Sequence, residues 1–157
     1  MGQSIRYCKE KDINNLTNII DEQLIETNQL GDKELIFKNL KKMVLNPNYN
    51  IVILCDQKNI VGGSIVNLTK PFWRDVTYGS ISWFFILKKY RNFLNAKKLL
   101  RASENWLKTR GVKWIETDVW HIDKNLKINQ FYINRFKIFL TKLNKYKECG
   151  NRLIKYE

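Results

Sequence analysis

The sequence predicts a single α/β domain in which helices flank one mixed β-sheet, and three observations lead there. The chain has 157 residues, 44% of them hydrophobic and 13% aromatic, enough to bury one core without metal or disulfide help. Its apolar residues switch repeatedly between a spacing of two and a spacing of three to four, so strands and helices are interleaved. No repeat, low-complexity tract or Pro/Gly/Ser linker separates the segments, which places the strands in one sheet, part antiparallel and part parallel.

Taken in order, IRYCKEKD opens with alternating residues suited to an edge strand, and Asp12 is placed to cap a helix carrying Ile13, Leu16, Ile19, Ile20 and Leu24. A second helix is expected over Asp32 to Leu45, with Leu35, Ile36, Leu40, Met43 and Val44 on one face, stopping at Asn46-Pro47. YNIVILCDQKNIVGGSIVNLT reads as an antiparallel hairpin turned at Asp56 to Asn59, with Gly62-Gly63 marking a bulge. After the irregular KPFWRDVTYG, the segment SISWFFIL reads as a central strand buried on both faces. YRNFLNAKKLL then opens a long helix to Arg110, with Ala96, Leu99, Leu100, Trp106 and Leu107 at helical spacing and Gly111 placed to end it in the left-handed conformation. VKWIETDVWH is a further strand, IDKNLKINQFYINR a short helix, and FKIFLTKLNKYK a last strand or hairpin arm. The tail GNRLIKYE is left as an edge strand or a loose end.

Composition excludes several classes. The longest apolar runs, Ile51 to Leu54 and Trp83 to Leu87, are far too short for a bilayer span, and MGQSIRYCKEKD has no signal-peptide core. Arg6 stands where a myristoylation signal wants Ser or Thr. Cys8, Cys55 and Cys149 are odd in number, widely separated and in no C-x-x-C pair, which argues against disulfides and structural zinc. With a single histidine, His121, no His-rich metal cluster can form. The expectation is a cytoplasmic protein in a reduced compartment, in a host cytoplasm or virion if phage-encoded, without metal or membrane. A net charge of +13 favours polyanions, whether polyphosphate cofactors, acidic proteins or nucleic acid. No RNP1-like aromatic motif or helix-turn-helix spacing accompanies that charge.

YRNFLNAKKLL lies between a strand end and a helix start, where unpaired backbone N–H groups and the helix dipole favour a phosphate, helped by Arg91, Lys97 and Lys98. Its six residues Arg91, Asn92, Phe93, Leu94, Asn95 and Ala96 follow the R/Q-x-x-G-x-G/A order, with Leu94 at the central glycine position. Further on, Asn125, Ile128, Phe131 and Tyr132 fall at the spacing of an N-x-x-A-x-x-F-Y helix, with Phe136 near the site of a Gly-Phe pair. In these motifs, their order and the helix end ENWLKTRG, the chain from about Ile5 to Lys147 resembles the GCN5-related N-acetyltransferase (GNAT) superfamily, as a phage-type member with a degenerate coenzyme-binding loop.

That resemblance implies transfer of an acetyl group from acetyl-CoA to an amine acceptor. It places the pyrophosphate on Arg91 to Ala96 and the pantetheine arm on the backbone of Phe85, Ile86 and Leu87. It adds Asn125 and Phe131 to the coenzyme site and makes Tyr132 the acid. Amine attack also needs a base. Glu116, Asp118 and Trp120 share one face of their strand and Thr117, Val119 and His121 the other. Glu116, Asp118, His121 and Asp75 all stay open as the base, while Ser80 and Ser82 can order a water. Trp73, Trp83, Trp114 and Trp120 are expected in the core or lining a cleft. The second reading is a catalytically silent GNAT-fold protein, for example a virion or host-interaction component with a basic surface. A homodimer is left open.

Overall fold

The computed structural model describes residues 3–26, 29–118, 138, 140–141, 145–149 and 152–156. Strand β1 (Ser4–Tyr7) leads through a 3-10 turn at Glu10–Asp12 into helices α1 (Ile13–Glu26) and α2 (Lys33–Leu45). Strands β2 (Tyr49–Asp56), β3 (Asn59–Thr69) and β4 (Tyr78–Ile86) follow, then helix α3 (Phe93–Lys108) and strands β5 (Trp114–Asp118), β6 (Lys147–Cys149) and β7 (Arg152–Tyr156). Among the described residues they form one sheet in the order β1-β2-β3-β4-β5-β7-β6. The β4–β5 pair is parallel and the rest antiparallel.

Each face of the sheet has its own core, set by the period of two along the strands. On one face Val52, Leu54, Val66, Ile81 and Ile115 pack with Leu99, Leu100, Trp106 and Leu107 of α3. On the other, Ile51, Ile53, Ile65 and Phe85 pack with Ile13, Leu16 and Ile19 of α1 and Leu40 of α2. Gly79 fixes which way β4 faces: a Cβ there would meet the Leu107 side chain at 2.7 Å, so Gly79 lies against α3. Tyr78 and Ser80 therefore belong to the α1/α2 side.

Several details differ from the sequence reading. Asp12 does not cap α1; its carboxylate closes the preceding turn by accepting from Lys9 N–H at 2.8 Å and taking both Arg6 nitrogens at 2.6 and 2.9 Å. The bulge in β3 falls at Val61, where the pairing jumps from Leu54↔Gly62 to Cys55↔Ile60. FKIFLTKLNKYK is not a strand where it is described, since Ile138, Leu140 and Thr141 are helical and strand pairing begins at Lys147. The tail is neither loose nor an edge, because β7 inserts between β5 and β6. Asp32 does cap α2, accepting from Leu35 N–H at 3.0 Å, and Gly111 has φ +69° just beyond α3.

Candidate functional site

Among the described residues the centre of the sheet has a gap where β4 meets β5, because β5 is described only as far as Asp118. Their pairing runs Gly79↔Ile115, Ser80↔Glu116, Ile81↔Thr117, and it stops there among the described residues. Thr117 Oγ1 donates to Ile81 C=O at 3.2 Å at this vertex. One residue later β4 carries a bulge at Ser82, because Ile65 pairs with Trp83 and Val66 with Ile81. The bulge inverts the alternation, so Ile81 faces α3 whereas Trp83 and Phe85 face α1. Ser82, Trp83 and Phe84 are only half-buried. SISWFFIL is thus not buried on both faces throughout, since its middle residues are only half-buried.

Antiparallel pairing with β3 decides which backbone groups of β4 point into that gap. Leu87 N–H donates to Val61 C=O at 2.9 Å and Leu87 C=O accepts from Tyr90 N–H at 2.8 Å. Alternation then directs Phe85 and Trp83 toward β3 and turns Ile86 and Phe84 away from it. Arg91 Nε reaches Ile86 C=O at 2.6 Å from that outer side. Of the three residues expected to offer backbone to a pantetheine arm, Ile86 is the one turned to the gap, and Phe84 joins it. Phe84 was not foreseen because neither the bulge nor the partner of Leu87 is written in the sequence.

β4 leads to the start of α3, and YRNFLNAKKLL lies between a strand end and a helix start as the sequence predicted. Asn92 is the N-cap: its Oδ1 accepts from Asn95 N–H at 2.9 Å and its C=O accepts from Ala96 N–H at 3.1 Å. Asn95, 1% exposed, anchors the turn by donating from Nδ2 to Tyr90 C=O at 2.9 Å. Of the first four helical N–H groups, those of Asn95 and Ala96 are thus held by Asn92. Leu94 sits within the helix, and positive φ among non-glycine residues occurs only at Gln57 and Lys145 among the described residues, so its backbone is unstrained. Its side chain, 67% exposed, stands over the helix start where a glycine would leave the backbone bare.

Arg91 is engaged elsewhere. Its two terminal nitrogens hold both oxygens of Glu26, at the end of α1, at 2.6 and 2.5 Å, and its guanidinium lies 5.1 Å from the Phe85 ring centroid. The positive charge beside the cradle comes instead from Lys88 and Lys89, both exposed, and from Lys97, whose Nζ lies 5.4 Å from the Phe93 ring centroid.

On the α1/α2 side of the vertex lies a half-buried polar and aromatic surface. Tyr78 and Trp114 stack at 5.2 Å and 3°, and Trp114 Nε1 donates to Glu116 Oε1 at 2.9 Å. Ser80 is directly across from Glu116, and Trp83 donates from Nε1 to Gln23 of α1. The Asp118 position shares this face. Asp75, by contrast, lies in the β3–β4 loop at the opposite end of β4 from the gap, paired with Lys70 at 2.5 Å. Trp83 and Trp114 are half-buried on this surface, but Trp73 is 69% exposed in that loop and is not part of the core. Trp120, His121, Asn125, Phe131 and Tyr132 lie outside the described residues. Among the described residues no group of His, Cys, Asp or Glu could hold a metal ion, and no helix is long and apolar enough to cross a membrane.

The overall fold, a mixed sheet flanked by helices, is shared with known structures. A GNAT family acetyltransferase of Staphylococcus aureus matches with TM-score 0.64 and 22% identity over 81% of this chain and 93% of that one. An acetyltransferase from Thermus thermophilus matches with TM-score 0.73 and 14% identity over 100% and 98%. The chain has the GNAT acetyltransferase fold. The aminoglycoside N-acetyltransferase AAC(6')-Iy, solved in complex with CoA, also matches, with TM-score 0.72 and 12% identity over 95% and 90%. No family profile matches the chain and no curated protein is significantly similar to it in sequence.

Proposed function

We propose that the protein is an acetyl-CoA-dependent N-acetyltransferase acting on an amine acceptor. The observation that supports this reading is the outer edge of β4, where the backbone of Phe84 and Ile86 turns away from β3 and the strand leads to the N-terminus of α3. A strand edge turned away from β3 suits an amide-bearing arm, and a helix start flanked by Lys88, Lys89 and Lys97 suits a pyrophosphate. The residues present therefore fit the coenzyme, with the Phe84 and Ile86 backbone on the arm and the start of α3 with its flanking lysines on the phosphates.

Acetyl-CoA supplies the thioester that the amine attacks. The chain must deliver that amine neutral and take up its proton. Glu116 lies one pair before Ile81↔Thr117, the last described pair of β4 and β5, and Trp114 holds one of its oxygens. Glu116 acts as the base, directly or through a water ordered by Ser80 or Ser82, with Asp118 the other carboxylate position on that face. Tyr132 serves as the acid toward the departing thiolate. Trp83 and the Tyr78–Trp114 stack wall the acceptor side.

One observation favours the silent reading: Leu94 stands over the cradle, and Glu26 takes both terminal nitrogens of Arg91. Thiol release from acetyl-CoA, followed with a panel of primary amines, separates the two. Amine-dependent release that falls at least tenfold in Glu116→Gln supports catalysis at this vertex. Binding of coenzyme without release for any amine supports the silent module.

A further inference from the structure

The β3–β4 loop carries a feature that the acetyl-transfer reading does not use. Phe72 is 96% exposed and Trp73 69% exposed, the largest aromatic surface given to solvent among the described residues. The two rings meet edge to face, with centroids 4.9 Å apart and planes at 89°. The loop is built to present them. Pro71 is buried, its C=O accepts from Arg74 N–H at 3.4 Å, and Lys70 closes the base of the loop on Asp75. Arg74 flanks the rings in sequence, and exposed Lys113 is fastened beside the loop by its N–H to Thr77 C=O at 3.2 Å.

We propose that the loop from Lys70 to Asp75 is a docking site for single-stranded nucleic acid, with Phe72 and Trp73 as stacking faces for bases and Arg74 and Lys113 as phosphate contacts. The net charge of +13 supplies the long-range attraction for a polyanion. Aromatic rings presented among cations are the combination that holds unpaired strands, since every base offers a π-face. Two other occupants fit less well. An aromatic side chain buries ~150–250 Å², so two rings fall short of the ~800 Å² per partner that a stable interface with a second copy needs. A lipid surface must also accommodate Asp75 in the same loop, whose carboxyl the Lys70 ammonium holds below its ordinary range, and therefore ionised.

The site is separate from the coenzyme gap. The loop enters β4 at Tyr78 and the gap leads out at Ile86, nine strand residues away, or roughly 27 Å at the usual rise of a strand. Docking here does not depend on acetyl transfer, and neither result prejudges the other.

The test is fluorescence anisotropy of a dye-labelled oligothymidylate titrated with the full chain at two salt concentrations. Wild type is compared with Phe72→Ala, Trp73→Ala and, as a control for general charge, the Lys88→Ala/Lys89→Ala pair. The loop residues are solvent-exposed, so the variants keep the fold, which circular dichroism verifies. Micromolar binding is expected, falling about tenfold in each aromatic variant as a base loses its platform and much less in the lysine pair. With two phosphate contacts, affinity should drop roughly sevenfold between 50 and 200 mM salt. An excess of CoA should leave it unchanged. Equal affinity in Trp73→Ala and wild type, displacement of the oligonucleotide by CoA, or absence of binding overturns the proposal. So does loss, in Trp73→Ala, of vesicle binding or of self-association in a protein that ignores the oligonucleotide.

Discussion

Replacing Gly62 with alanine tests how closely β3 must approach the strand that borders the coenzyme gap. A Cβ at Gly62 would lie 2.7 Å from the Phe85 carbonyl oxygen and 3.1 Å from the Ile86 Cα. Both are backbone atoms in a paired ladder and cannot turn aside as a side chain would. Overpacking of this kind costs about 1–3 kcal/mol, while alanine recovers about 0.5 kcal/mol through the unfolded chain. The net loss is about 1.5 kcal/mol, or a melting temperature lowered by about 3–6 °C in a chain of this size. Gly63 is the internal control, because its Cβ would meet the Trp83 side chain at 3.1 Å and the Val52 carbonyl at 3.2 Å, contacts that a few tenths of an ångström relieve. Gly63→Ala should melt within about 2 °C of wild type. The functional readout is acetyl-CoA affinity by calorimetry. Moving Phe85 and Ile86 shifts the backbone offered to the arm, so Gly62→Ala should bind at least fivefold more weakly and Gly63→Ala nearly as wild type. Equal coenzyme affinity in both variants, alongside the expected loss of stability in Gly62→Ala, would refute the assignment of this edge to the coenzyme.

Three further expectations follow from other contacts. Glu26→Gln removes a half-buried bidentate partner of Arg91; it should cost about 1 kcal/mol of stability yet raise coenzyme affinity, because the guanidinium is released beside the cradle, as melting curves and calorimetry would show. The Arg6 guanidinium holds the Asp12 carboxyl below the usual carboxylate range despite opposing burial. A depressed folded pKa means stability that is complete above the unfolded value near ~4 and lost as pH falls through the folded one. Asp12→Asn should therefore cost about 2 kcal/mol at pH 7, with the gap to wild type closing below about pH 4 in melts across pH. Tyr132→Phe should lower turnover while leaving coenzyme affinity unchanged, and unchanged turnover would remove Tyr132 from the acid role.

Much of the architecture was legible because it rests on local signals. Asp32 before α2, Asn46-Pro47 after it and Gly111 after α3 mark ends by backbone chemistry that needs no distant partner. The helix start at Asn92, between a strand and a basic helix, was readable for the same reason. What depends on tertiary pairing was not. Ser82 looks like any polar strand residue, yet its bulge sends Trp83 and Phe85 to the opposite face from Ile81. Arg91 carries a phosphate-binding signature in sequence, while Glu26, sixty-five positions away, determines where its charge goes. Asp12 looks like the cap of α1 until Arg6 on β1 takes its carboxylate. The tail GNRLIKYE has no sequence feature that distinguishes an edge from a strand inserted beside β5.

The most direct test of the central claim is calorimetry of the purified protein with acetyl-CoA at low and moderate salt, on wild type and Leu94→Gly. A shaped site predicts micromolar binding that survives moderate salt and tightens in Leu94→Gly, where the backbone at the start of α3 is bared. Binding that vanishes as salt screens it, in wild type and variant alike, would contradict the account and leave YRNFLNAKKLL as no more than the basic first turn of a helix.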